Sequence, residues 1–124
     1  EDLYPFMGLS DSDRFYPALE LWSRVLSVPE ANLAILNFGK RDAGNDLDEP
    51  LPILKLAGKP VPFEGKIKML NDQHAFMEIT PGSVVVGQLI ACGISHPCTN
   101  FDKWRLLPLV NDDYEIIDLI DTHF

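Results

Sequence analysis

From residue 18 to residue 28 the chain alternates, with Leu19, Leu21 and Val25 on one side of an extended backbone and Glu20, Trp22 and Arg24 on the other. Side chains on a strand point to opposite faces in turn, so the pattern predicts a half-buried β-strand. The same stretch also sets Ala18, Leu19, Trp22, Val25 and Leu26 at helical spacing, and residues 29–38 break the tie. The turn-like Pro29-Glu30-Ala31-Asn32 and the apolar Leu33-Ala34-Ile35-Leu36-Asn37-Phe38 predict a hairpin, because a short polar connection commonly joins antiparallel strands. Further apolar runs at residues 66–70, 75–79, 88–94, 104–110 and 115–120 are mostly bounded by Gly, Pro, Asn or Asp. Residues 39–52 are rich in Asp, Gly, Asn and Pro with little periodicity and predict a long loop, the kind of segment that is often functional. About seven short strands, punctuated by ten prolines and eight glycines, predict a mostly β fold: a small antiparallel β-barrel or sandwich with long loops.

A chain of 124 residues fits one ordinary domain, and 46% hydrophobic with 23% charged residues is a globular composition. Ten Lys and Arg against nineteen Asp and Glu give a net charge of −9, which repels phosphate backbones and anionic membrane surfaces and so excludes nucleic acid as the expected partner. No apolar run is long enough to span a bilayer as a helix and no signal pattern opens the chain, so a cytoplasmic location is expected. The sequence starts at Glu1, which suggests an excised domain or a processed product, and residues 1–17 read as an irregular arm from a preceding domain. Residues 18–124 form the expected domain. An absent neighbour would leave an apolar face exposed, and a homodimer is one arrangement open to such a face. Cys92 and Cys98 are too few for a disulfide framework and read as reduced; Cys92, inside an apolar run, reads as a small buried hydrophobe.

His96 and Cys98 flank Pro97. On an extended backbone residues i and i+2 share a face, so the imidazole and the thiol could converge on one cation, with proline stiffening the segment between them. On spacing alone, an isolated His-x-Cys is more often an unremarkable buried pair than a metal site. Nitrogen and thiolate donors suit Zn²⁺ rather than Mg²⁺ or Ca²⁺, and an incomplete ligand set is what a catalytic zinc requires.

The run Gly93-Ile94-Ser95-His96-Pro97-Cys98-Thr99-Asn100-Phe101-Asp102-Lys103-Trp104-Arg105, with Asn71-Asp72-Gln73-His74-Ala75-Phe76 and Gly39-Lys40-Arg41-Asp42, resembles the carboxy-terminal domain of D-serine dehydratases, amino-acid deaminases and D-threonine aldolase-like proteins. The resemblance runs from about residue 18 to residue 124. It implies a fold type III pyridoxal-phosphate enzyme in which an amino-terminal α/β-barrel domain carries the Schiff-base lysine and this β domain carries the metal. His96 and Cys98 match the metal ligands. Relatives of the aldolase type have aspartate at the second ligand position, so Cys98 favours the dehydratase or deaminase branch. The implied substrate is a D-hydroxy amino acid such as D-serine, and the implied cofactors are Zn²⁺ here and pyridoxal phosphate (PLP) in the other domain. The alternatives are aldolase-like retro-aldol cleavage and a non-enzymatic β binding domain.

His74 is the catalytic candidate, suited to orienting substrate or moving a proton, against the plainer reading of a histidine that starts a strand. Thr99 is expected to bond a ligand or the backbone and so steady the metal site. Trp104 reads as core, Asp102, Lys103 and Arg105 as a salt-bridged surface, and Arg41 and Asp42 as loop charges that pair with each other or face the missing domain. His123 has no evident ligand partner. No lysine of this chain matches the family's Schiff-base lysine, so the domain alone is expected to be inactive.

Overall fold

A computed structural model of the chain describes residues 18–123, and the expected arm over residues 1–17 lies outside the described residues. The strands are β1 (Glu20–Glu30), β2 (Leu33–Leu36), β3 (Leu51–Ala57), β4 (Lys59–Pro62), β5 (Lys66–Leu70), β6 (Ala75–Glu78), β7 (Leu89–Gly93), β8 (Leu106–Val110) and β9 (Ile116–Asp121), with one short helix, α1 (Cys98–Phe101). Seven strands form one antiparallel sheet in the order β4-β3-β7-β1-β2-β6-β5, and β8 and β9 form a separate two-stranded sheet. The long sheet does not close into a barrel. It folds over on itself as a sandwich, mostly β as the sequence predicts.

Strand β1 explains the fold. Residues Glu20 to Arg24 pair with β7, while Val25 to Glu30 pair with β2 through two register shifts. Such irregularities bend and twist a strand, so one strand serves both halves of the sandwich. Gly87 donates its amide to the Val25 carbonyl and Val25 donates to the Gln88 carbonyl, which holds β1 where it changes partners. The predicted alternation holds along it: Ser23 and Val25 are buried, and Leu21 packs against the core. The predicted hairpin also forms. Its turn is tighter than expected, because Glu30 pairs with Leu33 and only Ala31 and Asn32 lie between.

The core fills the space between the two halves. Phe38, Leu36, Met77, Ile90, Val25 and Cys92 are among its fully buried side chains. Strands β3 and β4, the first overlapping the end of the expected loop and the second following it, are two elements that sequence periodicity does not reveal. They turn about Gly58, whose φ of +81° is a conformation open to glycine at little cost. Pro60 and Pro62 lie in β4, which is an edge strand of the sheet, the place where a residue without an amide hydrogen is tolerated.

The β8–β9 hairpin stands apart from the sandwich. Ile116, Ile117, Leu119, Ile120, Leu106 and Leu109 are all exposed. Its clearest tie to the sandwich is Tyr114, which packs edge-on against Trp22 with ring centroids 5.1 Å apart and donates its hydroxyl to Glu20 at 2.8 Å. Trp104, expected in a core, is 38% exposed because it leads into this outlying hairpin. Its indole Nε1 donates to the Asp42 carbonyl at 2.7 Å. Among the described residues no helix is long and apolar enough to cross a membrane.

Candidate metal centre

The three motifs singled out in the sequence meet around the loop that follows β2. At its start, the Gly39 amide donates to Asp42 Oδ2 at 3.0 Å, and the Gly39 carbonyl accepts the amides of Asp42 and Ala43. Asp42 therefore closes this turn rather than pairing with Arg41. Lys40 and Arg41 donate their amides to the carbonyls of Asn71 and Asp72 at 2.9 and 3.1 Å, which joins the first motif to the second.

Further along, the same loop is laced to the third motif through alternate residues. Gly44 donates its amide to Asn100 Oδ1 at 3.2 Å, Asp46 Oδ2 lies 2.6 Å from His96 Nδ1, and the Asp48 amide donates to Ser95 Oγ at 3.3 Å. Ser95 returns a bond to the Asp48 carbonyl at 2.8 Å. Gly44, Asp46 and Asp48 thus present three partners to the segment 95–100 from a bent stretch of loop. A Cβ on Gly44 would collide with the Thr99 side chain, so the close approach at this point needs glycine.

His96 lies between β7 and α1, and Cys98 opens α1. Pro97 has φ −56° and ψ −36°, which is helical, so the extended backbone expected to aim both side chains from one face of a strand is absent. Proline's fixed φ suits either conformation, and here ψ selects the turn. The imidazole and thiol instead flank the proline at the mouth of a tight turn. Asn100 Nδ2 donates to the His96 carbonyl at 2.9 Å, and the single Thr99 hydroxyl proton serves that carbonyl at 2.9 Å or Asp46 Oδ1 at 3.3 Å. Thr99 thus touches both His96 and Asp46, while Asn100 is buried beneath them. The His96 imidazole beside Asp46 holds that carboxyl below the usual carboxylate range.

Cys98 is exposed and unpaired; Cys92 is fully buried and also unpaired. The donor chemistry fits zinc. His96 has Nδ1 committed to Asp46, which leaves Nε2, and a free thiolate-forming side chain stands two residues on. Among the described residues no group of three His, Cys, Asp or Glu is placed to hold a metal together, so protein ligands alone do not close a site here.

His74 is exposed and immediately precedes β6. Its carbonyl accepts the Asn71 amide at 2.8 Å, which matches the strand-starting reading, and its imidazole has no hydrogen bond among the described residues. His123 is likewise exposed. Asp102, Lys103 and Arg105 are exposed, and among the described residues the expected salt-bridged surface does not form. A groove of about 900 Å³ runs between the start of β1 and the β8–β9 hairpin, lined among others by Trp22, Asp42, Asn100, Trp104 and Tyr114. Desolvation and the neighbouring Glu20 carboxylate push the Tyr114 phenol up to about 12.

The two thiols are expected to behave oppositely. Burial pushes Cys92 from its ordinary 9.0 up to about 12, so a thiolate-specific reagent should consume one equivalent quickly, at Cys98, and a second only after denaturation. The native state also holds the Cys92 proton more tightly than the unfolded chain. The stability that this contributes is complete below the unfolded value of 9.0 and is lost progressively as pH rises through about 12. A urea midpoint that does not fall between roughly pH 8 and pH 10.5 would contradict this assignment.

The sequence profile of the putative serine dehydratase domain matches residues 18–110. Among solved structures, the D-threonine aldolase from Filomicrobium marinum superposes with a TM-score of 0.75 at 16% identity, over 92% of this chain and 30% of the aldolase chain. The chain therefore spans under a third of that protein's length, and at this identity the likeness concerns the fold. No curated protein matches the sequence.

Proposed function

This chain belongs to the putative serine dehydratase domain family, and from that premise we propose that it is the carboxy-terminal, metal-binding domain of a PLP-dependent amino-acid dehydratase or deaminase acting on a D-hydroxy amino acid such as D-serine. The observation that carries the reading is the His96–Cys98 turn, with one imidazole nitrogen committed to Asp46, the other uncommitted, and a free, exposed thiol two residues on. His96 and Cys98 are the residues that would hold Zn²⁺, with the remaining positions left for substrate or water. A zinc ion held there would supply Lewis acidity toward the β-hydroxyl, whose departure as hydroxide is otherwise the difficult part of the reaction.

Within this chain, Thr99, Asn100 and Asp46 steady the His96 turn against the 44–48 loop. His74 is assigned to orienting substrate or moving a proton. It stands at the end of the 71–74 turn, which the Lys40 and Arg41 amides tie to the same loop. PLP belongs to an amino-terminal α/β-barrel domain, which would also cover the apolar β8–β9 hairpin. Both cysteines are unpaired, which accords with a cytoplasmic setting.

The deciding experiment is zinc stoichiometry and affinity for the full-length protein and for its His96→Ala, Cys98→Ser double variant. Close to one zinc per chain, lost in the variant, is the expected result; retention of zinc by the variant would remove these residues from the site. The structural likeness to an aldolase favours one second reading, retro-aldol cleavage of a β-hydroxy amino acid. Products separate the two. Keto acid and ammonia mean dehydration, whereas glycine and an aldehyde mean cleavage.

A further inference from the structure

We propose that Asp46 is a positioning residue that fixes the His96 imidazole by accepting a hydrogen bond from Nδ1 and so assigns Nε2 as the atom that meets the metal. The inference rests on the reading of His96 as a zinc ligand and deepens it.

An ionised carboxylate can only accept hydrogen bonds. With Asp46 Oδ2 2.6 Å from His96 Nδ1, the shared proton belongs on Nδ1. A neutral imidazole that keeps its proton on Nδ1 has its lone pair on Nε2, on the far side of the ring. A ligating histidine commonly gives its other ring N–H to a carboxylate, which sets both tautomer and ring orientation. Free imidazole in water would divide itself between two tautomers and rotate about its side-chain bonds.

The plainer account is an ordinary exposed ion pair, since the two side chains are 32% and 48% exposed, and such pairs contribute little. Two observations set this pair apart. Asp46 does not reach across from a free loop. The residues two before and two after it, Gly44 and Asp48, are each bonded to the same 95–100 segment, so its backbone is held on both sides. Thr99 also touches both members, through Asp46 Oδ1 and the His96 carbonyl. In addition, Asp46 is not placed with His96 and Cys98 as a third donor, because no three such groups converge among the described residues. Its carboxylate is thus set to act on the ligand, not on the ion.

The test uses zinc titration of the full-length protein with D46A, D46N and H96A variants, together with ¹⁵N NMR of the histidine rings in the metal-free wild type. Zinc affinity is expected to fall about 10–100-fold in D46A. D46N, nearly isosteric and still able to accept through its amide oxygen, should fall less, and it guards against a folding defect in D46A. The NMR spectrum should show His96 protonated at Nδ1. Wild-type affinity in both Asp46 variants, alongside lost zinc in H96A, would overturn this inference alone and leave the ligand reading standing. A His96 ring protonated only at Nε2 would also overturn it. Zinc retained by H96A would overturn the ligand reading and this inference with it.

Discussion

On the proposed function, turnover of D-serine by the full-length protein is expected to fall at least about 10³-fold in the His96→Ala, Cys98→Ser double variant, while bound PLP remains at its wild-type level. The size follows from the leaving group. Lewis-acid assistance to a departing oxygen supplies several kcal/mol, and each 1.36 kcal/mol is roughly tenfold in rate. The same variant should retain most of its activity toward β-chloro-D-alanine, because chloride leaves readily without such help. A comparison of the two substrates therefore reads the proposed role directly. If both reactions collapse together, His96 and Cys98 maintain the structure of the active site, and the Lewis-acid role is wrong. If neither changes, they are not at the reacting centre. Retained PLP is part of the expected result, because the cofactor is assigned to another domain and its loss would signal wider damage.

What the sequence reveals and what it conceals divide along the range of the interactions. Strand β5 is found at its predicted limits, and the turn and apolar run of residues 29–38 correctly decide for strand over helix in β1, whose own pattern fits both. In both cases neighbouring residues carry the pattern. Strands β3 and β4 are hidden because Pro52, Pro60 and Pro62 break their local signal, and the edge position that tolerates the two prolines of β4 is a property of the sheet. Trp104 reads as core, yet it leads into a hairpin that stands off the sandwich, where a groove replaces packing. The residues of the candidate metal site were legible, their geometry was not. His96 and Cys98 stand out as types, but Pro97 accepts extended and helical backbone alike, and the structure uses the helical one. Asp46 lies fifty positions from its partner, in a stretch without periodicity.

That loop leads to a second large effect, a loss of about 2–4 kcal/mol of stability in Gly39→Ala. The loss combines overpacking with weakened backbone hydrogen bonds. A Cβ at this position would run into the Asn71 carbonyl oxygen and would meet the Asp72 carbonyl carbon and oxygen at 2.5 Å, so the obstacle is main chain rather than a flexible side chain. Backing away would stretch the bonds from the Lys40 and Arg41 amides to those same two carbonyls. Urea unfolding should show a lower midpoint with an unchanged slope, since the exposed surface on unfolding stays the same. Hydrogen exchange should locate the damage. The Lys40 and Arg41 amides should lose protection while those of the β1–β7 pairing keep theirs relative to the global stability. A stability within about 0.5 kcal/mol of wild type would mean that the 71–74 turn moves freely from the Gly39 corner. The coupling inferred between His74 and the loop that carries Asp46 would then have no physical connection, and His74 would lose its place in the site.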